Sequence, residues 1–552
     1  PGVLYQMGLH CRTVGESCPY DVSGFSYAGF PGVVFGHNGH VAWGMTNLRA
    51  DTTDLYLEKI SGSDYLYGGQ LHALVGRAER IRVADGATRL ITVRSTRHGP
   101  LLSDVSRELS STGANAPAPD TAPDRGNGYA VAVNWQGMTP GRSADAILGL
   151  DRATGWASFR AAAAQLDAPA QNLVYADTAG NIGYQATGAI PVRKAGHTGD
   201  YPVAGWLNSQ DATGRTIPAG KLPTEFNPPS GLIVAANQAP VGAHESPRLA
   251  DSWDYGYRSA RIGDLLRTRI GDGPKLRIAD MTAIQTDTRN PMAPVLVPYL
   301  LDILLPSAYD AGGQRLLTGW DFSQPASSPA AAYFNVVWRN VLSLTFHDQL
   351  PRSQWPDGSS RWMYLTSQLL QQPDSRWWDD VRTRGVVENR DTILALAMRD
   401  ARDEMVRRQS RDPAKWTWGH LHTLDLHRPV FDETGALSRA LFDRVGRGAS
   451  GGSGAVDATS WDARSGYTVT TAPAMRMVVD LGDLDRSRWI DLPGASGHAF
   501  GPHYLDQLSP WLDGTTDPWP FTAAGVKAQT QDVLTLTPSG RTAALRPRWL
   551  PR

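Results

Sequence analysis

Residues 31–56 read PGVVFGHNGHVAWGMTNLRADTTDLY, and the order of motifs within them decides the fold. Two apolar runs, Gly32 to Phe35 and Val41 to Trp43, flank the turn-forming His37-Asn38-Gly39. Short apolar runs joined by such a turn are a β-hairpin signal. Directly after the second run come Thr46 and Asn47, followed by an acidic pair, Asp51 and Asp54.

Outward from this hairpin, residues 1–105 read mainly as short strands and turns. Between Ser110 and Gly128 lies SSTGANAPAPDTAPDRGNG, a Pro-rich polar insertion expected to be an exposed loop. Strand character resumes over Ala130 to Trp135. A helix follows, with Thr154 as its N-cap and Trp156, Phe159 and Ala163 on one face. Asn172 to Tyr175 and Ile182 to Gln185 flank Asp177-Thr178-Ala179-Gly180-Asn181, a second hairpin. From about Ala260 to Arg411 the apolar positions recur at helical spacing, as at Ile262, Leu265 and Leu266 and again at Ile393 and Leu396. After Pro413 strands return, with GRGASGGSG (Gly446 to Gly454) expected as a flexible loop. No linker separates two independent units, so one interwoven domain over 1–552 is expected. Within it, residues 1–261 are sheet-rich, 262–411 form a helical excursion and 412–552 are returning strands.

The 552 residues, 41 % hydrophobic and 19 % charged, describe a folded chain long enough for a large core. A formal charge of −1 excludes nucleic-acid binding through a global basic field. The most apolar window, Met292 to Leu305, is broken by Pro294, Pro298 and Asp302, so no membrane span is expected. Cys11 and Cys18, separated by a short polar loop, are either a disulfide or two free thiols.

The segment PGVVFGHNGHVAWGMTN resembles the penicillin acylase family of N-terminal-nucleophile amidohydrolases. So, in order, do Thr96-Arg97-His98-Gly99-Pro100, the hairpin from Tyr175, Gly188-Ala189-Ile190-Pro191-Val192-Arg193, Ala235-Ala236-Asn237-Gln238 and Gly256-Tyr257-Arg258-Ser259-Ala260-Arg261-Ile262. Trp416-Thr417-Trp418-Gly419, Pro493-Gly494-Ala495-Ser496-Gly497-His498 and Pro502-His503-Tyr504-Leu505-Asp506-Gln507 continue the series. Singly these are weak; their order and spacing are specific, and they cover most of the chain.

The resemblance implies an α+β fold, the four-layer α/β/β/α sandwich with two mainly antiparallel sheets packed face to face. It also implies hydrolysis of the amide between an acyl group and an amine, in penicillin-like or N-acyl substrates such as acyl-homoserine lactones. Such chemistry needs an activated nucleophile, a base and donors aimed at the oxyanion. In the family the nucleophile is an N-terminal Ser, Cys or Thr of the large chain, whose own α-amino group serves as base. That residue lies farther upstream of the motif than Pro1, so this chain alone is expected not to turn over. The small chain of the same precursor is the implied partner, and the precursor is a zymogen. Implied oxyanion donors are the Asn47 backbone N–H and the Asn237 side chain. Arg261, or Arg258 if the alignment slips, is implied to orient Asn237. Phe35, Met45 and Trp135 fall where the acyl pocket is lined, against the simpler reading of core side chains.

Asp51, the Thr53 carbonyl, Asp54 and the Pro191 carbonyl resemble the family's structural calcium site, with Asp251 or Asp254 as third carboxylate. Hard oxygen donors on a turn suit calcium, and a solvated acidic turn is the alternative. The family's usual export implies a periplasmic or secreted protein, a role in antibiotic biosynthetic processes, and a Cys11–Cys18 disulfide. No organic cofactor, nucleic acid or membrane is implied. His420, His422 and His427 lack the acidic or cysteine partners of a zinc site and read as one face of a strand. His37, His98, His498 and His503 are expected to make structural hydrogen bonds. A non-catalytic exported acyl-ligand-binding protein is the alternative from another class.

Overall fold

A computed structural model describes residues 2–242, 248–250, 252–271, 273, 275–428 and 435–536. Its organising element is a seven-stranded sheet containing the first hairpin. In spatial order it comprises β1 (Leu4–His10), β2 (Asp21–Tyr27), β3 (Phe35–Asn38), β4 (Val41–Asn47), β5 (Gln171–Asp177), β6 (Ile182–Ala186) and β7 (Thr224–Phe226). Every neighbouring pair is antiparallel. The β3–β4 turn is held by Asn38, whose Oδ1 accepts the N–H groups of His40 (2.8 Å) and Val41 (2.9 Å). Its amide reaches on to the carbonyls of Asp151 and Ala153. Where β2 crosses β3, a Cβ on Gly24 or Gly36 would lie 2.0 or 2.2 Å from a neighbouring carbonyl oxygen, so both must be glycine.

Because side chains alternate across a strand, each face of this sheet has its own set. Val22, Trp43, Leu173 and Tyr175 face helices α1 (Ser143–Leu150) and α2 (Trp156–Ala163), meeting Ala146, Leu150 and Phe159 in one buried cluster. Helix α2 starts from Gly155 rather than Thr154, whose N–H is taken by Ser158 Oγ. On the other face, Ser23, Phe25 and His37 meet a second antiparallel sheet of β8 (Met475–Val478), β9 (Arg488–Asp491) and β10 (Asp517–Pro518). There Trp519 donates to Ser23 Oγ at 2.7 Å and the His37 ring centroid lies 4.6 Å from that of Trp519.

The helical excursion is built around α4 (Pro329–Phe346) against α5 (Arg390–Arg408), with α3 (Tyr257–Gly271) leading in. Helix α4 is buried on nearly all sides, as an apolar helix at the centre of a cluster must be. Among the described residues no helix is long and apolar enough to cross a membrane. Cys11 and Cys18 are joined in a disulfide that closes the β1–β2 connection.

Four local expectations are corrected. Besides the two sheets described, several small ones form, because strands such as Thr53–Glu58 leave the main sheet and pair with Ala130–Trp135 instead. The insertion from Ser110 begins within a helix, Arg107–Asn115, which Ser106 caps and which Gly113 lets lie against the Tyr129 carbonyl. The segment Gly446–Gly454 is not a free loop. It opens in the strand Arg444–Gly448, and its later glycines are packed so closely that a Cβ on Gly451, at φ +85°, would lie 2.2 Å from the Asp457 carbonyl oxygen. Trp418–Leu421 is a helical turn, not a strand, and buried His422 bonds the Tyr467 carbonyl (2.7 Å) and Thr459 Oγ1 (3.1 Å).

Candidate active site

The end of β4 and the turn at Asn237 come together, although 190 residues separate them. Asn237 Nδ2 donates to the Asn47 carbonyl at 2.9 Å. Behind Asn47 stands Asn172, whose amide donates to the same carbonyl (3.1 Å) and to Thr46 Oγ1 (3.2 Å), and which Tyr184 fixes from the other side (2.6 Å). Leu48 N–H donates to the Ala170 carbonyl, one step past the Asn47–Gln171 pair. Hydrogen-bonded positions alternate along an antiparallel ladder, so the Asn47 N–H points away from β5, toward the opposite edge of β4. Strand β3 pairs with β4 only through Gly36–Trp43 and His37–Ala42, which leaves that edge open beside Asn47. The Asn47 N–H and the second hydrogen of the Asn237 amide are therefore available at one strand edge.

Asn237 sits at φ +69°, a left-handed conformation that asparagine tolerates better than most residues. Three contacts hold it there. Its carbonyl accepts the Asp254 N–H (3.1 Å), its amide reaches Asn47, and its Oδ1 accepts Arg258 Nη2 at 2.7 Å. Arg258 also donates to the Ala236 carbonyl (3.0 Å), and Asp254 stands 3.8 Å from its guanidinium. Gln238 ties the same turn, accepting the Ala236 N–H and donating to the Val234 carbonyl.

Arg261 does not take this role. It makes a two-pronged pair with Asp287 at 2.6 and 3.1 Å. Three residues on along α3 is about 4.5 Å and most of a turn away, enough to carry it to a different neighbour. Arg258 is the arginine that touches Asn237.

Phe35, Met45 and Trp135 do not share a pocket. Phe35 pairs with Phe25 and so lies on the face toward the second sheet, whereas Met45 follows Trp43 by two residues and packs on the helix side. Trp135 is 49 % exposed at the end of its strand. Residues that do share the Phe35 layer include Met477, whose Cε would lie 3.6 Å from a Cβ on Gly44. No single-strand pattern identifies Met477, because facing sheets meet only in three dimensions.

The donors as arranged do not fit a calcium ion. Arg193 occupies the space between the two carboxylates. Its Nη2 lies 3.1 Å from Asp51 Oδ2 and its Nε 2.8 Å from Asp54 Oδ1, while the guanidinium also donates to the Asp51 carbonyl. Burial holds the Asp51 carboxyl above its ordinary range, the cation notwithstanding. Thr53 continues as a strand residue paired with Trp135, and Pro191 lines the small cleft beside Asp51 and His197. Asp254 is committed to Arg258, Gly256 N–H and Ser360, and Asp251 lies outside the described residues. Among the described residues no cluster of three or more His, Cys, Asp or Glu side chains is placed to hold a metal.

Asn47, Asn237 and Arg258 open onto a cleft of about 960 Å³ bounded also by Arg49, Trp253, Arg361 and Trp461. A strand-edge N–H beside an arginine-held amide is an arrangement that can donate two hydrogen bonds to one oxygen. The family model described as penicillin amidase matches residues 1–528. The chain belongs to the penicillin amidase family. It is 29 % identical over 549 residues to the acyl-homoserine lactone acylase QuiP of Pseudomonas syringae pv. tomato, covering 94 % of this chain and 63 % of that protein. It is 29 % identical over 525 residues to a penicillin acylase 2 proenzyme of Pseudomonas sp., covering 93 % and 62 %. The chain thus spans a little under two thirds of the length of these curated relatives. A thermostable penicillin G acylase from Alcaligenes faecalis shares the fold, with a TM-score of 0.69, 20 % identity, and 98 % of this chain and 95 % of that chain covered.

Proposed function

We propose that the complete protein is an amidohydrolase that cleaves the bond between an acyl group and an amine through an acyl-enzyme. The observation that carries this reading is the shared edge at Asn47 and Asn237, with Arg258 holding the latter. A Ser or Cys at the start of the mature large chain attacks the acyl carbonyl, and its α-amino group takes the proton through a water. Charge then develops on the carbonyl oxygen, where the Asn47 N–H and the free Asn237 N–H donate. Collapse expels the amine, and water releases the acid from the acyl-enzyme.

The reading includes a small chain cut from the same precursor and a small-molecule N-acyl substrate. It also includes a four-layer sandwich, supported by the helices under the first sheet and by the packing of Leu508 and Trp511 behind Ile490 of β9. The Cys11–Cys18 disulfide supports a periplasmic or secreted location. Acyl-homoserine lactone acylase activity is the second reading, favoured by the relatives of that name.

Expression of the full gene and intact mass measurement test the proposal. Two chains, the larger beginning with Ser, Cys or Thr ahead of Pro1, together with release of acid from a phenylacetyl or aliphatic amide, are expected. A single uncut chain that binds acyl ligands without hydrolysis overturns it in favour of a binding protein.

A further inference from the structure

We propose that two copies of the complete protein associate edge to edge through the strand Val75–Ile81, which pairs with its own copy antiparallel about Ala78; this goes beyond the catalytic reading and does not depend on it. Val75–Ile81 pairs on one side with Arg89–Thr96, in unbroken register from Val75–Ser95 to Ile81–Arg89. It is the last strand of its sheet, and its other edge is unpaired among the described residues. Every residue from Arg80 to Thr92 is exposed, so the ribbon stands out from the body of the protein. A ribbon of two strands is marginal in water on its own, and an open edge is a template for another strand. This edge carries neither a proline nor a bulge to prevent that.

The ladder dictates which groups face outward. The Arg94 carbonyl accepts the Leu101 N–H on the far side of Arg89–Thr96, so its backbone groups turn away from Gly76. Alternation then turns Arg89, Ile91, Val93 and Ser95 toward the outer strand, where Ile81, Glu79, Arg77 and Val75 bond them. Gly76, Ala78 and Arg80 are left with N–H and C=O aimed at the open edge. Among the described residues no hydrogen bond reaches those groups. Paired about Ala78, the three match one another. Ala78 meets the partner's Ala78, and Gly76 meets the partner's Arg80, a residue with no side chain opposite a long one.

Charge selects this register. Within the chain, Arg77 Nε lies 2.8 Å from Glu79 Oε1 of its own strand. Pairing about Ala78 sets Arg77 opposite the partner's Glu79 and Glu79 opposite the partner's Arg77. Both fall at non-hydrogen-bonded positions, where facing side chains come closest. Centring on Arg77 or on Glu79 instead brings like charges face to face. Val75 meets the partner's Ile81 in the same way. The apolar face of Val75, Ile81, Ile91 and Val93, exposed at all but Val93, thus continues across both ribbons. A strand that is its own complement gives a closed two-fold dimer.

Sedimentation equilibrium of the complete processed protein tests this. Its mass is expected to rise from one copy to two between about 1 and 100 µM, as suits a small interface. Arg77→Glu and Glu79→Arg each set like charges opposite one another, and each variant is expected to stay at one copy over that range. An equimolar mixture of the two is expected to associate again, because each supplies the sign the other lacks. Ala78→Pro is expected to stay at one copy with the melting temperature of the dilute parent, since the Ala78 N–H serves no bond within the chain. One copy at every concentration overturns the proposal. So does a dimer that survives Ala78→Pro, which lies on another surface, and so do charge variants that fail to associate when mixed. Slow hydrogen exchange at Gly76, Ala78 and Arg80 in the dilute protein marks the small chain as the occupant of this edge and overturns it as well.

Discussion

Arg258 Nη2 lies 2.7 Å from Asn237 Oδ1, and that single contact fixes which way the Asn237 amide points. A guanidinium has only donors, so the atom it meets must be the amide oxygen. Nδ2 is thereby turned toward Asn47 and the cleft. With Oδ1 and Nδ2 exchanged, Asn237 presents an acceptor to an oxyanion and repels it.

Removing this clamp is therefore expected to cost turnover rather than substrate affinity. Arg258→Met should lower kcat about 10- to 100-fold with KM little changed. Arg261→Met should leave kcat within about threefold and instead lower the melting temperature, since it breaks the pair with Asp287. Steady-state kinetics on the processed enzyme decide, and the opposite ranking of the two arginines would remove the positioning role of Arg258.

The donor and the backbone of Asn237 can be separated. Asn237→Gly keeps the positive φ without strain, whereas Asn237→Ala adds about 1 kcal/mol of left-handed strain. Both lose the amide, so both should lose about 100- to 1000-fold in kcat. Both lose the side-chain bonds to Asn47 and Arg258, and the alanine variant should melt earlier than the glycine variant. Activity that survives in the glycine variant would show that the amide does not touch the reacting oxygen.

Arg193 stands where a divalent cation is otherwise expected, and this has a measurable consequence. Chelation should leave the melting temperature of the protein unchanged. Arg193→Leu strands two carboxylates, one of them 3 % exposed at Asp54, and should destabilise by about 3–5 kcal/mol. Calcium should then raise the melting temperature of the variant but not of the parent. A parent protein that copurifies with calcium and melts several degrees lower in chelator would contradict the reading.

Asp491 gives the fold a pH dependence. Its carboxyl is fully buried, neither oxygen has a hydrogen-bond partner among the described residues, and burial pushes its pKa up to about 7. An acid whose folded pKa lies above its unfolded value, near 3.9, is held protonated by the fold. Stability from this group is complete below about pH 4 and declines as pH rises toward about 7. Urea denaturation between those limits should show the decline, and Asp491→Asn should flatten it and be the more stable protein at pH 8. A variant with an unchanged pH profile would place the titration elsewhere.

Much of the first sheet could be read directly. The apolar runs around His37-Asn38-Gly39 did become β3 and β4, and the turn is closed by the asparagine that marked it. The hairpin at Asp177–Asn181 formed for the same reason, with Asp177 Oδ1 accepting the N–H groups of Ala179 and Asn181. Where neighbours in sequence are not neighbours in effect, the reading failed. Gly446–Gly454 looked like slack chain, but glycine serves close approach as readily as mobility, and here Gly451 and Gly452 abut Asp457 and Gln324. The pattern Trp416, Trp418, His420, His422 has the period of a strand, yet burial of Trp418 over His422 is met by a helical turn.

By itself, then, the sequence determined the local pieces: the hairpin that ends in Asn47, the Asn237 motif, two arginines within one turn of α3, and an acidic pair at Asp51 and Asp54. These depend on turn chemistry and short-range periodicity, which a linear chain carries in full. Tertiary structure alone decided that Arg258 rather than Arg261 meets Asn237, and that Phe35 and Met45 lie on opposite faces of one sheet. It likewise placed the guanidinium of Arg193 between the two aspartates. The first two turn on helix rotation and strand register, and the third on the path of an irregular segment. A shift of one residue reverses a strand's face and turns a helix by about 100°, and only contacts between distant segments fix either.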